Sequence, residues 1–407
     1  MDVKQSVYRR DILKHLYFSG DLSCEDLSEL TNKSFPLTSK ILIDMVEKGA
    51  VIEKGYAAST GGRRPQMYTL RRDLMYVVSV AMDQMITRMA ILDMQNKYVG
   101  EVKNLELTLT NNPNALNQLI NHLEGFIHSS GIPKNKIAGI GIGMPGFVDV
   151  IKGINHSFMK TEKGQSISGA IESALGVPVL IDNDSSLIAL AELKFGAARG
   201  KENVMVINAG WGVGLGMIMK GEMFRGNNGF AGEFSHIPLF SNNKMCSCGK
   251  MGCLETETSL VVMAEKAMKA LQEGKLSILK GLSLEHIEEA SKAIIEAAVK
   301  GDKFAIEILS EIGYKLGIGV AILIHLLNPE LIVLSGRGSV AGKIWLAPLQ
   351  QAINEHCIPK ISENTEIEIS ELGYDAEIIG AAALVMENYE KVGVKQNLKL
   401  YTDQYAE

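Results

Sequence analysis

Between Glu233 and Glu255 the chain reads Glu233-Phe-Ser-His236, then nine residues, then Cys246-Ser-Cys248-Gly-Lys-Met-Gly-Cys253-Leu-Glu255. Three of the five cysteines and one of the eight histidines fall in this span, with a carboxylate at each edge. One imidazole nitrogen and three thiolates are the donor set that suits a tetrahedral zinc ion. Gly249 and Gly252 let so short a segment wrap around it. If His236, Cys246, Cys248 and Cys253 all bind, no coordination position stays open, and the zinc is structural rather than catalytic. The competing reading is a reduced loop with coincidental cysteines. The clustering, and a histidine within reach, favour the metal.

A chain of 407 residues is longer than one core readily serves, so two or three domains are expected. Charge is unevenly spread. Residues 1–72 hold twelve Lys and Arg against nine Asp and Glu, a net of +3, while the rest of the chain is at -9. A basic head on an acidic body points to nucleic acid as a partner of the head alone. The N-terminus shows no apolar signal segment, and apolar runs such as residues 316–327 are too short or interrupted to span a bilayer. With five cysteines and no secretory signal, the expected compartment is the reducing cytoplasm, with no membrane partner. Cys24 and Cys357 lie outside the cluster and read as buried small residues.

In the head, Tyr8, Ile12, Leu13 and Leu16 share one helical face up to Gly20. Ser23 is an N-cap for a second helix, with Glu25 and Asp26 in its first turn. A third helix is predicted over Pro36–Lys48, with an inward stripe of Leu37, Ile41, Leu42 and Met45. Strands at 51–56 and 67–70 follow. Three short helices and a hairpin describe a winged helix-turn-helix, whose third helix presents its first residues to the major groove. Thr38, Ser39 and Lys40 are then the candidates for bases and phosphates. Arg63 and Arg64, after Gly61-Gly62, suit a minor groove or the phosphates beside it.

The body begins with a predicted hairpin, Met75–Asp93, with a neighbouring strand at Tyr98–Val102, then a helix over Asn114–Ser130. Ile137–Met144 reads as a buried strand running into Pro145-Gly146. Val177–Ile181 reads as another, ending at Asp182-Asn183-Asp184 before a helix. Loops after strand ends carry ligand sites in open α/β sheets, and Asn183 and Asp184 offer an amide and a carboxylate to hydroxyl groups. A second strand-and-turn set follows: Asn203–Ala209, then Gly210-Trp-Gly212-Val-Gly214-Leu-Gly216. Glycine at alternate positions admits a phosphate, or simply close packing. Helices over 259–273, 283–299 and 302–327 precede a strand at 331–335, a helix at 345–355, a strand at 366–370 and a helix at 376–389. Two α/β lobes with a cleft between them are the natural assembly.

These pieces, in this order, resemble the ROK family (repressors, open reading frames and sugar kinases), in particular its winged-helix sugar-responsive repressors, typified by the xylose and N-acetylglucosamine repressors. The resemblance covers nearly the whole chain. It is carried by Gly141-Ile-Gly-Met-Pro-Gly-Phe-Val-Asp149, Asp182-Asn-Asp184, the zinc signature from Gly232 to Glu255, and Leu372-Gly-Tyr-Asp-Ala with Gly380-Ala-Ala. It implies an α/β chain in which a winged helix-turn-helix precedes a two-lobed, actin-like (hexokinase-type) body. The expected divisions are 1–72 for the head, 73–190 for the first lobe, 191–390 for the second lobe with the zinc site and a C-terminal helix returning to the first, and a tail at 391–407. It further implies a sugar or sugar phosphate held by Asn183, Asp184, Glu233, His236 and Glu255, with Asn155 a further candidate. His236 would serve zinc through one ring nitrogen and the sugar through the other.

Departures from the family pattern decide between kinase and repressor. Where the kinases carry a glycine-rich Asp-x-Gly-Gly-Thr-Lys phosphate loop, this chain has Ala81-Met-Asp83-Gln-Met-Ile86. Trp211 stands where the second phosphate loop usually has Thr. Asp184 matches the kinase general base, but a base without a phosphoryl donor transfers nothing. The expectation is therefore a non-enzymatic, sugar-responsive repressor that binds operator DNA as a homodimer or tetramer. The alternative is an ATP-dependent sugar kinase with a regulatory head.

Overall fold

The computed structural model describes residues 3–58, 64–159, 161 and 165–389. The chain forms two compact units, Met1–Asp184 with Ile378–Glu407, and Ser185–Glu377.

The first unit opens with α1 (Val3–Ser19), β1 (Leu22–Ser23), α2 (Cys24–Leu30), α3 (Phe35–Glu47), β2 (Val51–Tyr56) and β3 (Gln66–Leu70), the strands lying in the order β1-β3-β2. Gly20, at φ +78°, ends α1. A capping box opens α2: Ser23 Oγ accepts from the Asp26 amide at 3.1 Å, and Asp26 Oδ2 accepts from the Ser23 amide at 2.8 Å. On α3 the inward set is Thr38, Ile41, Leu42 and Met45. Leu37, expected inside, is 38% exposed, and Thr38 takes the core position. Cys24 is half-buried rather than buried.

Next come β4 (Tyr76–Met82), β5 (Ile86–Asp93), β6 (Lys103–Glu106), α4 (Ala115–Ser129), β7 (Ile137–Met144), β8 (Val148–Asp149), β9 (Ile154–Asn155), α5 (Ile167–Leu175) and β10 (Val179–Asn183). The sheet order is β10-β7-β4-β5-β6, parallel across β10, β7 and β4 and antiparallel beyond. The strand expected at Tyr98–Val102 lies instead at Lys103–Glu106, with Tyr98 making only an isolated bridge to Leu92.

The second unit contains α6 (Asp184–Phe195, beginning at the boundary), β11 (Val204–Ala209), β12 (Val213–Met219), β13 (Glu222–Phe224), α7 (Glu255–Thr258), α8 (Leu260–Gln272), α9 (Ile287–Val299), α10 (Lys303–Leu327), β14 (Leu331–Ser335), α11 (Lys343–His356), α12 (Pro359–Ser362) and β15 (Glu366–Ile369). The sheet order is β13-β12-β11-β14-β15, with β11, β14 and β15 mutually parallel. Of the described helices, α10 alone is long and apolar enough to cross a bilayer. It is a core helix, with Leu316, Val320 and Ile324 packed among Leu349, Ile353 and the β11 and β14 side chains. Gly214 and Gly216 on β12 clear the way for α6. A Cβ on them would lie 1.9 Å from Ser185 Oγ and 2.3 Å from Ala189 Cβ, so these two glycines have a packing cause. Glu192 on α6 is fully buried; its carboxylate accepts from the hydroxyls of Ser335 and Ser370 and from the Ala197 amide, tying α6 to the ends of β14 and β15.

The last helix, α13 (Ala376–Glu387), carries the chain back into the first unit. Strand parity on β7 explains how it docks. Ile140 and Ile142 face the core shared with Leu119, Leu123, Ile167 and Ile171. Gly139 and Gly141, on the other face, admit α13. A Cβ on Gly141 would stand 2.0 Å from the Ala381 carbonyl oxygen.

Candidate functional site

The loop between β13 and α7 gathers the cysteines by tight backbone turns. Cys246 N donates to Lys250 O at 2.8 Å, Gly249 N to Cys246 O at 2.9 Å, and Leu254 N to Ile237 O at 3.0 Å. Leu254 and Phe234 are buried against α10, anchoring both ends of the loop in the core. The ligand atoms of His236, Cys246, Cys248 and Cys253 all lie within 4.8 Å of one another. Two pairs are closer: Cys246 Sγ is 3.5 Å from His236 Nδ1, and Cys248 Sγ is 3.6 Å from Cys253 Sγ. Tetrahedral zinc, with bonds of about 2.3 Å to sulfur and 2.0 Å to nitrogen, sets such atoms roughly 3.5–3.8 Å apart. The four side chains therefore form a group that fits a metal ion.

The two flanking carboxylates are joined to this group. His236 turns Nδ1 to the thiols and Nε2 to Glu233, whose Oε2 is 3.6 Å away. Glu255 Oε1 lies 3.8 Å from Cys246 Sγ, and its Oε2 accepts from the Val213 amide at 3.2 Å. A Cβ on Gly212 would come within 2.5 Å of that carboxylate, so the turn entering β12 seats Glu255. Burial raises the Glu233 carboxyl above its ordinary range; His236 opposes this and the Glu255 carboxylate adds to it. Glu233, His236 and Glu255 thus lie together on the cysteine loop.

Beside the loop sits a residue with no sequence signal of its own. Glu257 is buried and contacts Lys315, Lys244 at 2.9 Å and Lys266 at 2.9 Å, with Asn242 at 2.7 Å. Burial alone would raise its pKa, but these hydrogen bonds outweigh it and hold the carboxyl far below the usual range. Since Asn242 and Lys244 precede Cys246 directly, Glu257 fastens the loop to α8 and α10 without any metal.

In the first unit Asn183 ends β10, donating its side-chain Nδ2 to Gly146 O at 3.1 Å, and Asp184 follows, half-buried, at the start of α6. Asn155 is 2% exposed, its Nδ2 donates to Pro145 O, and its Oδ1 accepts from the Ser157 and Phe158 amides, each at 2.9 Å. These bonds brace the Pro145-Gly146 turn and leave one Nδ2 hydrogen of Asn155 beyond them. At residues 81–86 the chain closes on itself: Asp83 Oδ1 accepts from the Met85 and Ile86 amides, both at 2.7 Å. Backbone amides of that kind are what a phosphate would need.

In the head, Lys40 and Arg64 are exposed and Ser39 is half-buried. Thr38 is 0% exposed, its hydroxyl 2.5 Å from Tyr8 Oη and donating to Ser34 O at 3.1 Å. A residue so enclosed cannot reach DNA, and Thr38 leaves the candidate set. Arg63 lies outside the described residues. Leu37 and Ile43, 38% and 55% exposed, share the outer part of α3 with Lys40. The period favours the swap: Ile41, Leu42 and Met45 stand three, four and seven places after Thr38, whereas Leu42 stands five after Leu37, off its face.

Comparison with known proteins places these features in a family. The ROK family signature matches residues 78–388. A xylose repressor of Caldicellulosiruptor bescii is 28% identical over 392 residues, covering 93% of this chain and 94% of its own. A glucokinase of Halalkalibacterium halodurans is 36% identical over 256 residues, covering 62% of this chain and 78% of its own. Among solved structures, a ROK family transcriptional regulator described as a homologue of the E. coli MLC protein superposes with a TM-score of 0.76 at 23% identity, over 96% of this chain and 99% of that one. A ROK glucokinase from Streptomyces griseus, solved with glucose and AMPPNP, gives 0.65 at 26% identity over 76% and 98%. With its body matched from the second residue after Tyr76 to the end of α13, and its fold shared from head to last helix, the chain belongs to the ROK family.

Proposed function

We propose that this chain is a sugar-responsive transcriptional regulator of the cytoplasm, acting as a repressor. Its three-helix head binds operator DNA, and its ROK body binds a sugar or sugar phosphate. One observation carries the reading: the xylose repressor aligns along 93% of the chain, head included, whereas the glucokinase aligns along 62%. The effector is assigned to Asn183, Asp184, Glu233, His236 and Glu255. Carboxylates accept from ring hydroxyls, and a paired polar set of this kind separates sugars that differ at one hydroxyl. Zinc is assigned to His236, Cys246, Cys248 and Cys253, where it supplies rigid support. With Nδ1 committed to the metal, His236 holds its remaining ring proton at Nε2, beside Glu233. On the head, Lys40, Arg63 and Arg64 are assigned to phosphates or the minor groove, Ser39 to the major groove, and Leu37 to thymine methyl contact. A homodimer or tetramer would present paired heads to a two-fold operator.

The test is a thermal-shift screen of free and phosphorylated monosaccharides, followed by a gel shift with DNA upstream of the gene. The best ligand is expected to change the mobility-shift midpoint. DNA binding that no sugar alters would overturn the switch.

The second reading, a sugar kinase with a regulatory head, is favoured by the 36% identity to a glucokinase. Against it stands Asp83, whose carboxylate already takes the amides of its own loop. Sugar-dependent ATP turnover by the purified protein would restore the kinase.

A further inference from the structure

Three loops leave the carboxyl ends of the adjacent parallel strands β11, β14 and β15, the position where open α/β sheets take ligands. Each loop delivers one large side chain: Trp211 after β11, Arg337 after β14 and Tyr374 after β15. They stack. The Arg337 guanidinium carbon lies 4.7 Å from the Trp211 ring centre and 4.3 Å from the Tyr374 ring centre. The guanidinium thus lies over both rings, within cation–π range of each. Glu288, on α9, meets Arg337 Nη1 at 3.1 Å and holds it in place. Trp211 is seated in turn on the apolar core of α8, α9 and Trp345.

We infer that Arg337 occupies, from within the protein, a slot between Trp211 and Tyr374 that would otherwise accept the base of a purine nucleotide. A planar, delocalised cation between two aromatic faces matches a stacked heterocycle in thickness and in its attraction to ring faces. Little of the Arg337 side chain, 16%, is exposed, so a base cannot enter unless the arginine leaves. The inference rests on the regulator reading and deepens it. Nucleotide is refused at this end of the sheet by a filled slot, independently of the closed loop at Asp83.

The experiment is calorimetric titration of the full-length protein with Mg-ATP and with adenosine. Wild type is expected to show no saturable heat. Arg337→Ala empties the slot and is expected to bind either compound at least about tenfold more tightly than wild type, with a change in Trp211 fluorescence. Arg337→Lys, which keeps the charge but not the plane, should lie between them. Glu288→Ala releases Arg337 from the carboxylate that holds it and provides a second reading if Arg337→Ala fails to fold. Saturable ATP binding by wild type, or folded Arg337→Ala or Glu288→Ala protein that binds no better than wild type, would overturn the inference. ATP binding by wild type without sugar phosphorylation sinks the slot alone, whereas phosphorylation of a sugar sinks the regulator reading as well.

Discussion

Glu257 is a carboxylate that burial alone would neutralise and that three lysines keep ionised. Its depressed pKa makes it a contributor to stability above the unfolded value of about 4.3, and that contribution is lost as pH falls below it. Glu257→Gln should cost roughly 1–3 kcal/mol at neutral pH, allowing for the partial exposure of the lysines. The penalty should shrink toward pH 3, and urea unfolding at pH 7 and pH 3 measures both. An equal penalty at the two pH values would show that the charge is not what matters. On α3, Thr38→Val should lower stability by about 1 kcal/mol, because it removes the hydroxyl that Tyr8 meets. Lys40→Ala should leave stability unchanged while weakening operator binding and reducing the slope of its salt dependence by about one. Chemical denaturation and filter binding over a salt series separate the two effects. The candidate metal ligands were legible because thiols and imidazole at close spacing have few other uses. Thr38 was not, since a threonine looks polar until Tyr8 and the Ser34 carbonyl are seen to satisfy it, and Glu257 needed partners from three separate stretches.

Among elements, the cysteine loop was readable as a unit because its candidate donors lie within eighteen residues of sequence, His236–Cys253. The partners of its edges were not: Val213 on β12 and Leu254 against α10 belong to tertiary packing. Cys248→Ser is expected to remove bound zinc, measured by elemental analysis, and to abolish the sugar effect on DNA binding while DNA binding itself survives. A zinc-free variant that still responds to sugar would separate the metal from the effector site. The alternating glycines of β12 illustrate the reverse difficulty. From sequence they admitted either a phosphate or close packing, and only the approach of Ser185 and Ala189 shows that α6 lies against Gly214 and Gly216. Glu192 likewise sits in an ordinary helical stretch, and nothing local reveals that two serines from distant strands will satisfy it.

At the scale of the whole molecule, the head is fixed to the sheet of the first unit at several points. Tyr17 Oη donates to Asn96 Oδ1 at 3.3 Å, Arg72 pairs with Asp93 at 2.6 Å, and Lys14 reaches both the carbonyl and the carboxylate of Glu387 at the end of α13. Burial, reinforced by Asp93, pushes the Tyr17 phenol above its ordinary range, so it stays a neutral donor. Through these contacts α13 touches the head directly. Lys14→Ala with Tyr17→Phe should therefore reduce the factor by which sugar alters operator affinity more than the operator affinity itself. Linkage demands a matching result: operator DNA must change sugar affinity by the same factor as sugar changes DNA affinity. Calorimetric sugar titrations with and without operator, in wild type and in the double variant, measure that common factor, and a factor of one in wild type would mean that the two ligands are not coupled. The existence of a head and an α/β body was legible from periodicity and turns. The joint between them was not, because Lys14 and Glu387 lie at opposite ends of the chain.

The docking of α13 against Gly139 and Gly141 has a consequence for how the protein is made. The sheet of the first unit is translated early, yet the helix that covers one of its faces leaves the ribosome only after the whole of Ser185–Glu377. At about 5–20 residues per second, that face stays uncovered for roughly 10–40 s. A message truncated before residue 378 yields a head on an unfinished sheet, bare along β7 and lacking Glu387 to meet Lys14. Such fragments should be cleared by proteolysis rather than accumulate as constitutive DNA binders, which confines DNA-binding activity to chains translated to the far end of α13.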